Sequence, residues 1–475
     1  MPACKTDKRA IAIIFFMTIF VRLLFHYLTG FTYDDAFITF RYAENIANGH
    51  GFVYNVGEKV LGTTTPLFTL ILAALASLRL PVITGALFVS LLASGLTAVI
   101  LYRFARSLGF AQISLVPVTL YMFFPRLLAT DTGGMETPLF TLLVTAAFYF
   151  QHRQLPFHAV TAAALATVTR PEGLLPLGII IAYNGFKDLK QTFALGVLAS
   201  LIILPWAIFA GYNFGSPVPN SVAGKLSLYS HWGVKPWWGN LIFIMGWHHP
   251  FGIPLFLLAV VGAWWLIKQQ KFGLLEITWL SGMFLSLTVA PTYLFLWYIT
   301  PIYPIYFLFV GGAFCFITGW REQWRKHTKV LARLVVAVTA IVLVAFGFSG
   351  MRSHRSYWNT MKTVHQSIGL YLREHAHPTD VVAAEDIGYI GYYSGLKILD
   401  RDGLISPEVI PYNREKNYLE LILDKKPEWL VADLDSPTSQ FISNSEFTTR
   451  YRLAATFKHP SGQICRVIFS LADST

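Results

Sequence analysis

Long apolar runs alternate with short polar connectors from residue 10 to residue 349, and the pattern then ends. A helix needs roughly 20 apolar residues to cross the ~30 Å hydrocarbon core of a bilayer. The chain is therefore predicted to be an all-α membrane bundle of about 11 helices, followed by a soluble segment. The predicted spans are residues 10–29, 82–102, 109–125, 137–151, 157–170, 172–186, 192–211, 250–267, 273–290, 297–318 and 330–349.

Residues 65–79 are also apolar, and a twelfth span there would reverse the orientation of every later connector. With eleven spans, basic connectors such as that of Arg103 and Arg106 lie in the cytoplasm, as the positive-inside rule requires. We therefore predict that residues 65–79 form an interfacial or re-entrant helix. The first apolar run lacks a cleavage site and is interpreted as a retained span with a cytoplasmic N-terminus. The loops at 30–81, 126–136 and 212–249 and the C-terminal segment are then outside.

The C-terminal segment, residues 350–475, has the alternation of a small α/β domain, distinct from the membrane domain of residues 1–349. A Gly- and Tyr-rich turn is predicted through Tyr393, and a helix at Tyr418–Leu423. A closing hairpin is predicted from Tyr451 to Phe469, turning at Ser461–Gly462. The predicted strands before it are Val381–Ala384, Lys397–Leu399 and Trp429–Ala432.

Composition narrows the function classes. The net charge of +11 would suggest nucleic acid for a soluble protein, but only 13% of residues are charged and the cations sit mostly in connectors. The predicted partner is therefore the lipid bilayer and not nucleic acid. Cys4, Cys315 and Cys465 are too scattered for a disulfide framework or a zinc site. No P-loop or dinucleotide-binding fingerprint is present, so no nucleotide site is expected.

An acidic pair, Asp34 and Asp35, follows the first predicted span. Apolar residues then recur at helical spacing, which predicts a short helix with the pair in its N-cap and first turn. Capping is the simplest interpretation, but two adjacent carboxylates repel unless they share a cation, a metal or a proton. One of the pair is positioned as a general base, and the other could orient it or bind a divalent ion.

Other outer-face residues are weaker candidates, each with a structural alternative. Asp131 and Glu136 bound an acidic turn that could simply cap a span containing Pro138. Arg170 and Glu172 flank a proline and could pair with each other, or Arg170 could clamp a phosphate. Six basic residues lie on the predicted outer face, where the positive-inside rule expects few. Each could bind an anion or be a solvated surface charge: Arg41, Lys59, Arg126, Arg170, Lys225 and Lys235.

Two aromatic stretches complete the candidates. His249 lies in a Trp-His-His-Pro sequence without an i, i+4 partner, which favours an interfacial belt over a metal site. Tyr298 lies near the outer end of a Pro-kinked span and faces a cavity or the lipid interface. The candidate substrate-binding residues are thus Arg41, Tyr54, Lys59, Arg126, Glu136, Arg170, Glu172, Lys225, His249 and Tyr298.

Four segments in this order resemble the GT-C superfamily of polytopic glycosyltransferases: residues 34–43, 48–55, 134–140 and 169–173, which read DDAFITFRYA, NGHGFVYN, GMETPLF and TRPEG. The sequence is most similar to the mycobacterial-type terminal arabinofuranosyltransferases. It is more distantly similar to protein mannosyltransferases and lipid A aminoarabinose transferases.

The resemblance implies an enzyme of the bacterial cytoplasmic membrane that takes a sugar, such as the pentose arabinofuranose, from a polyprenyl-phosphate donor. The acceptor would be a hydroxyl of a cell-envelope glycan, lipid or protein on the outer face, and transfer would be inverting. The first choice for the base is Asp34 and the second is Asp35. No nucleotide site is required, and a divalent metal as cofactor at the pair is left open.

Two other classes compete with the enzyme. A transporter or flippase of lipid-linked sugars predicts ionisable residues deep in the spans and broken helices at the midplane. In this sequence the ionisable residues lie mainly at span ends. A membrane scaffold that presents residues 350–475 to a partner leaves the acidic pair unexplained.

Overall fold

The computed structural model describes residues 5–229, 237–245, 252–269, 294–319, 350–460 and 464–472, with isolated positions between 276 and 345. Most of the predicted spans 273–290 and 330–349, as well as Lys235, His249 and the Ser461–Gly462 turn, lie outside the described residues. The chain forms two compact units. The helical unit contains Met1–Gly30, Ala86–Pro205 and Lys235–His354, and the mixed unit contains Phe31–Gly85, Trp206–Val234 and Arg355–Thr475.

The helical unit consists of apolar helices around a core of large side chains that includes Phe104, Tyr121 and Phe148. Its longer helices are Lys5–Thr29, Thr137–His152, Pro156–Thr169, Leu174–Gly185, Gly252–Lys268, Tyr303–Gly319 and most of Val82–Ser107 and Leu189–Phe214. The shorter ones are Leu115–Phe123, Pro125–Thr132, Trp237–Met245 and Leu296–Ile299, with 3-10 turns at Ala111–Ser114, Pro171–Gly173 and Thr300–Ile302.

Four helices among the described residues are long and apolar enough to cross a membrane, or five if one bent pair counts as a span. The four are Lys8–Thr29, Val82–Ser107, Leu189–Phe214 and Leu296–Thr318. Helices therefore occupy the predicted positions at the start, middle and end of the bundle. The predicted count of about eleven spans is not confirmed.

The predicted span 109–125 and outer loop 126–136 do not form one straight helix followed by a loop. Residues Ala111–Phe123 and Pro125–Thr132 form two helical segments that meet at a bend of 56°. Pro125 begins the second segment, because proline fits the first turn of a helix but cannot continue the preceding one. Most of the predicted loop is thus helical, and Asp131 is a fully buried helix residue instead of part of an exposed turn.

The mixed unit contains a five-stranded sheet in the order β2-β1-β3-β5-β4. The strands are β1 (Val381–Ala384), β2 (Lys397–Asp400), β3 (Trp429–Asp433), β4 (Tyr451–Lys458) and β5 (Ile464–Leu471). Strand β1 pairs in parallel with β2 and β3, whereas β5 is antiparallel to β3 and β4. The predicted strands and hairpin are confirmed.

The mixed unit also contains helices, and two of them come from the first loop. The helices are Asp34–Ala47, Pro66–Ser77, Asn220–Tyr229, Ser367–His375, Ile387–Ser394, Ile410–Glu415, Tyr418–Lys425 and Ser445–Arg450, with a π-helical segment at Met361–Gln366 and 3-10 turns at Pro407–Val409 and Pro437–Ser443. One buried cluster joins Ile38 and Tyr42 of the first loop to Ile368, Ile390 and Ile398. The first loop and the C-terminal segment therefore share a core.

Two sequence expectations in this unit are refined. The Gly- and Tyr-rich stretch predicted as a turn is the helix Ile387–Ser394, which ends at Gly395 in the left-handed region with φ +69°. The apolar residues 65–79 form the 12-residue helix Pro66–Ser77. At 1.5 Å per residue this helix is roughly 18 Å long, too short to span a bilayer.

Candidate active site

The acidic pair begins the helix Asp34–Ala47 in the mixed unit, and the N-cap residue is Tyr33. Both carboxylates therefore lie in the first turn, as predicted, but neither residue is the N-cap. Acidic side chains in a first turn interact favourably with the helix dipole, which accounts for part of their placement. The contacts of the two side chains are nevertheless very different.

The Asp34 carboxylate is held by backbone amides of another helix. The N–H of Gly388 donates to Oδ2 over 3.0 Å, and the N–H of Tyr389 donates to Oδ1 over 2.9 Å. These amides belong to the first turn of Ile387–Ser394, so Asp34 satisfies donors that this helix cannot satisfy internally. A Cβ at Gly388 would lie 2.0 Å from the Asp34 carbonyl oxygen and 2.6 Å from Oδ2. Glycine is therefore needed for the close approach.

A network of charged side chains lies next to the amides that bind Asp34. Asp386, two residues before Gly388, forms an ion pair with Arg466 of β5. Nη2 of Arg466 also lies 3.1 Å from Oδ2 of Asp433, and His365 Nδ1 lies 3.9 Å from Oδ2 of Asp386. Because Asp386 and Asp433 follow or end parallel strands β1 and β3, both carboxylates meet at one edge of the sheet.

Burial and the Asp386 carboxylate, with a smaller effect of Asp35, raise the pKa of Asp34 to about 7, although the Gly388 and Tyr389 amides oppose the shift. Arg466 holds the pKa of Asp386 below its ordinary value despite burial. Burial and the Arg466 charge lower the pKa of His365 to about 4, so its ring is neutral at pH 7. Of Asp34 and Asp386, it is Asp34 whose pKa lies near neutrality.

Asp35 is more exposed and lies beside a cation. Nζ of Lys225 is 3.9 Å from Oδ2 of Asp35, and the exposed fractions of the two side chains are 21% and 37%. An exposed pair of this kind contributes little to stability. Its position matters more, because it places a positive charge next to the acidic pair.

A divalent ion at the pair was the alternative left open by the sequence. Within the part of the chain that the structure describes, no three His, Cys, Asp or Glu side chains are arranged to hold a metal ion. Amide donors, which repel a cation, point at both oxygens of Asp34. The arrangement favours a proton-transferring carboxylate over a metal ligand.

Arg41 and Tyr54 are built into the mixed unit. The Arg41 guanidinium donates to the carbonyl oxygens of Tyr54, Gly391 and Leu396 over 2.9, 2.7 and 2.6 Å. It lies over the Tyr54 ring, whose hydroxyl donates to the Ile387 carbonyl over 2.6 Å. Both side chains are buried. These contacts favour a structural role for both residues over the predicted contact with substrate.

The helical unit contains a second group of predicted residues. Arg170 pairs with Glu136 over 2.5 Å and with Glu172 over 2.8 Å, and its guanidinium lies 5.1 Å from the centre of the Tyr298 ring. The predicted Arg170–Glu172 pair is thus present, and Glu136 joins it. All three nitrogens of the Arg170 guanidinium already donate to these two carboxylates, so few of its donors remain for a phosphate.

Two other predicted cations have different surroundings. In the helical unit, Nη1 of Arg126 donates to the Tyr303 hydroxyl over 3.1 Å, and its guanidinium lies over the Phe243 ring. In the mixed unit, exposed Lys59 lies at a cavity of about 460 Å³ with a mainly apolar lining that includes Leu61 and Val222. His249 is outside the described residues.

Sequence reasoning missed two ion pairs. The first is Asp386–Arg466, whose signal was a pair of acidic residues directly after strand β1. The second is Arg22–Asp131, at 2.7 Å and fully buried in the helical unit, with Ser94 donating to the same carboxylate over 3.0 Å. An arginine in the middle of the first predicted span was the available signal, because such a residue requires a partner.

Solved structures with similar folds include those of two proteins. ArnT from Cupriavidus metallidurans matches in the apo state with a TM-score of 0.65 and 12% identity, covering 98% of each chain. Its structure bound to undecaprenyl phosphate matches with a TM-score of 0.64. The oligosaccharyltransferase AglB from Archaeoglobus fulgidus, in complex with an inhibitory peptide and a dolichol-phosphate, has a TM-score of 0.60 and 11% identity over 99% of this chain and 74% of that chain.

Both similar proteins are of the GT-C type. The chain has the GT-C fold. Within this GT-C chain, a domain of unknown function, DUF8728, matches residues 351–473, the segment that carries Asp386 and Arg466. No curated protein sequence matches the chain.

Proposed function

We propose that the protein is a membrane glycosyltransferase that moves a sugar from a polyprenyl-phosphate donor to an acceptor hydroxyl, with Asp34 as the general base. The observation that carries the proposal is the Asp34 carboxylate, held in the first loop by two amides with its pKa near 7. A general base is most effective when its pKa lies near the working pH. The GT-C fold, shared with a protein crystallised with undecaprenyl phosphate, supports the choice of donor.

In the proposed reaction Asp34 takes the proton from the acceptor hydroxyl as its oxygen attacks the anomeric carbon. The bond between this carbon and the phosphate oxygen breaks, and polyprenyl phosphate leaves with the electron pair. Attack opposite the leaving group inverts the anomeric centre. Asp34 returns its proton to water before the next cycle.

Cations near the site would stabilise the leaving phosphate. Lys225 is the first candidate, because it lies beside Asp35 on the helix Asn220–Tyr229. The same helix lines the apolar cavity at Lys59, a pairing of apolar surface and positive charge that suits an isoprenoid phosphate. Asp35, which is paired with Lys225, would hold this lysine in place. We propose a pentose, such as arabinofuranose, as the first donor sugar to test, and a cell-envelope glycan, lipid or protein as the acceptor.

The decisive experiment compares purified wild-type protein with Asp34→Asn in vesicles that contain a polyprenyl-phosphate sugar and an envelope extract as acceptor. Asp34→Asn should bind undecaprenyl phosphate as the wild type does but lose at least a hundredfold in transfer, the typical contribution of a general base. Asp435→Asn, an exposed aspartate of the same unit, is the matched control and should transfer normally. Full transfer by Asp34→Asn would exclude Asp34 as the base.

A lipid-linked-sugar transporter is the second candidate, favoured by a buried ion pair and a broken span. Arg22 and Asp131 both lie inside candidate spans, and the segment that carries Asp131 is bent by 56°. Such features also occur in transporters. Vesicles with a fluorescent polyprenyl-phosphate lipid and an external quencher distinguish the two functions. Protein-dependent loss of inner-leaflet fluorescence, abolished by Arg22→Gln and not by Asp34→Asn, would favour transport.

A further inference from the structure

The contacts of the proposed base come from the domain of unknown function. Both amides that reach Asp34 belong to residues 388 and 389, and the carboxylate that raises the pKa of Asp34 most is that of residue 386. Together they form the first turn of the helix Ile387–Ser394, which follows β1, with residue 386 as its N-cap. The first-loop helix supplies the carboxylate itself, and the C-terminal segment supplies the groups around it.

We propose that the turn Asp386–Tyr389 positions the base of the active site. Its two amides fix the Asp34 carboxylate, and the Asp386–Arg466 pair sets the electrostatic field in which Asp34 accepts a proton. Only the catalytic use of the Asp34 carboxylate rests on the proposed function. The positioning itself is a statement about one carboxylate and its neighbours. It gives the domain of unknown function a task within the reaction.

The amides determine where the carboxylate lies. Two N–H groups that donate to different oxygens, over 3.0 and 2.9 Å, fix both the position and the plane of the Asp34 carboxylate. Each oxygen keeps a further lone pair, so the carboxylate can still accept a proton. The absence of a side chain at Gly388 permits this approach, since any Cβ would overlap Asp34.

The ion pair determines the field at the carboxylate. Arg466 is shared between Asp386 and Asp433, and of these three groups it is the Asp386 carboxylate that raises the pKa of Asp34. A nearby negative charge favours the protonated form of Asp34, while the two amides favour the ionised form. The titratable and charged groups that act on Asp34 or respond to its charge are Asp35 of its own helix, Tyr54 of the first loop, Tyr357 of the segment at 350–360, Asp386 and Tyr389 of the turn, and Arg466 of β5.

Asp386→Asn tests the field. Carbodiimide modifies protonated carboxyl groups, so the pH midpoint of labelling at Asp34, measured by peptide mass spectrometry in the full-length protein, reports its protonation without any substrate. The wild-type midpoint should lie near 7. Asp386→Asn should move it to lower pH by roughly one unit, the effect of removing one nearby like charge. The acid limb of transfer against pH should move with it.

Asp433→Asn is the matched control, because Asp433 also pairs with Arg466 but is not among the groups acting on Asp34. Its labelling midpoint should stay at the wild-type value. If both variants leave the midpoint unchanged, the ion pair does not act on Asp34 and this part of the proposal is wrong. If the midpoint moves but no variant or wild type transfers a sugar, the positioning stands and the proposed function fails.

Gly388→Ala tests the amides. The added methyl group should displace Asp34 and reduce transfer at every pH by at least tenfold, lowering kcat with little change in KM for the donor. Gly211→Ala in the same unit is the control, because a Cβ there meets nothing within 4 Å. Wild-type kcat in folded Gly388→Ala, verified by an unchanged melting temperature, would overturn the role of the amides.

Discussion

At the residue scale, Asp34 and Asp35 are the same residue type in adjacent positions but have different surroundings. Asp34 is half-buried and receives two amides, whereas Asp35 lies beside Lys225. Desolvation and a like charge favour protonation of Asp34 near neutrality. The sequence left open which of the two residues is the base. The local environment favours Asp34, and this assignment is a proposal.

The pH dependence of transfer follows from the Asp34 pKa of about 7. A base must be deprotonated before it accepts a proton, so kcat/KM should rise with pH through about 7 and then level off. Well below this pKa the rate should fall tenfold for each pH unit, because the active fraction falls tenfold. Steady-state transfer between pH 5 and 9 measures the profile. A rate that is flat from pH 5 to 7 would show that Asp34 does not set it.

Lys225 gives a second prediction at this scale. Lys225→Gln should weaken binding of undecaprenyl phosphate, because a cation 3.9 Å from Asp35 is lost near the proposed phosphate position. We expect a loss of affinity of roughly tenfold, the effect of about 1.4 kcal/mol. Lys225→Arg keeps the charge and should bind nearly normally. Equal affinities of wild type and Lys225→Gln, measured by microscale thermophoresis, would remove Lys225 from the donor site.

Individual residues were predictable from the sequence where the signal was local. The acidic pair and the Arg170–Glu172 pair were visible because their members are neighbours in the chain. Asp386 was not, since it lies more than 350 positions after Asp34 and only the fold joins them. The contacts of Arg41 were hidden for the same reason, because two of the three carbonyl groups that bind it belong to the C-terminal segment.

At the element scale, Arg41 connects the first-loop helix to the helix Ile387–Ser394. Arg41→Met should destabilise the protein by about 2–4 kcal/mol, since three buried carbonyl groups lose a charged donor. Arg41→Lys should recover only part of this stability, because an ammonium group does not reproduce the planar fork of a guanidinium. Thermal unfolding in detergent measures both. Exposed Lys59→Met is the control and should unfold like the wild type.

The Arg22–Asp131 pair similarly connects the first helix to the segment Pro125–Thr132. Both side chains are fully buried, so Asp131→Asn leaves an uncompensated charge and should cost about 3–5 kcal/mol. The double variant Arg22→Met with Asp131→Asn removes both charges and should be more stable than Asp131→Asn alone. Unfolding temperatures of the single and double variants test this. Additive losses would mean that the two residues are not coupled.

Elements were predictable where periodicity and length agreed. The strands β1, β2 and β3 were located almost to the residue, because short apolar stretches flanked by turn residues have few alternatives. The helix Ile387–Ser394 was missed, since its Gly and Tyr residues are poor helix formers and its first amides need the Asp34 carboxylate. The break at Pro125 was missed because apolar length alone does not reveal a bend.

At the scale of the whole molecule, the mixed unit constrains membrane topology. Its core joins the first loop to the C-terminal segment, so these two segments must lie on the same side of a membrane. The number of spans between residues 81 and 355 must then be even. Eleven spans place ten between these positions and satisfy the rule. A twelfth span at residues 65–79 would separate Arg41 from Gly391, which its guanidinium contacts.

This parity can be tested without knowing the number of spans. An alkaline phosphatase moiety, active only outside the cytoplasm, should be active when inserted after Gly57, an exposed loop residue, and when fused after Thr475. Green fluorescent protein, which does not fluoresce after export in the unfolded state, should be dark at both positions. Matching results are required because the two segments form one core. Opposite results at the two positions would mean that the core does not form in the cell, whereas a fluorescent pair would keep the core and reverse the predicted orientation.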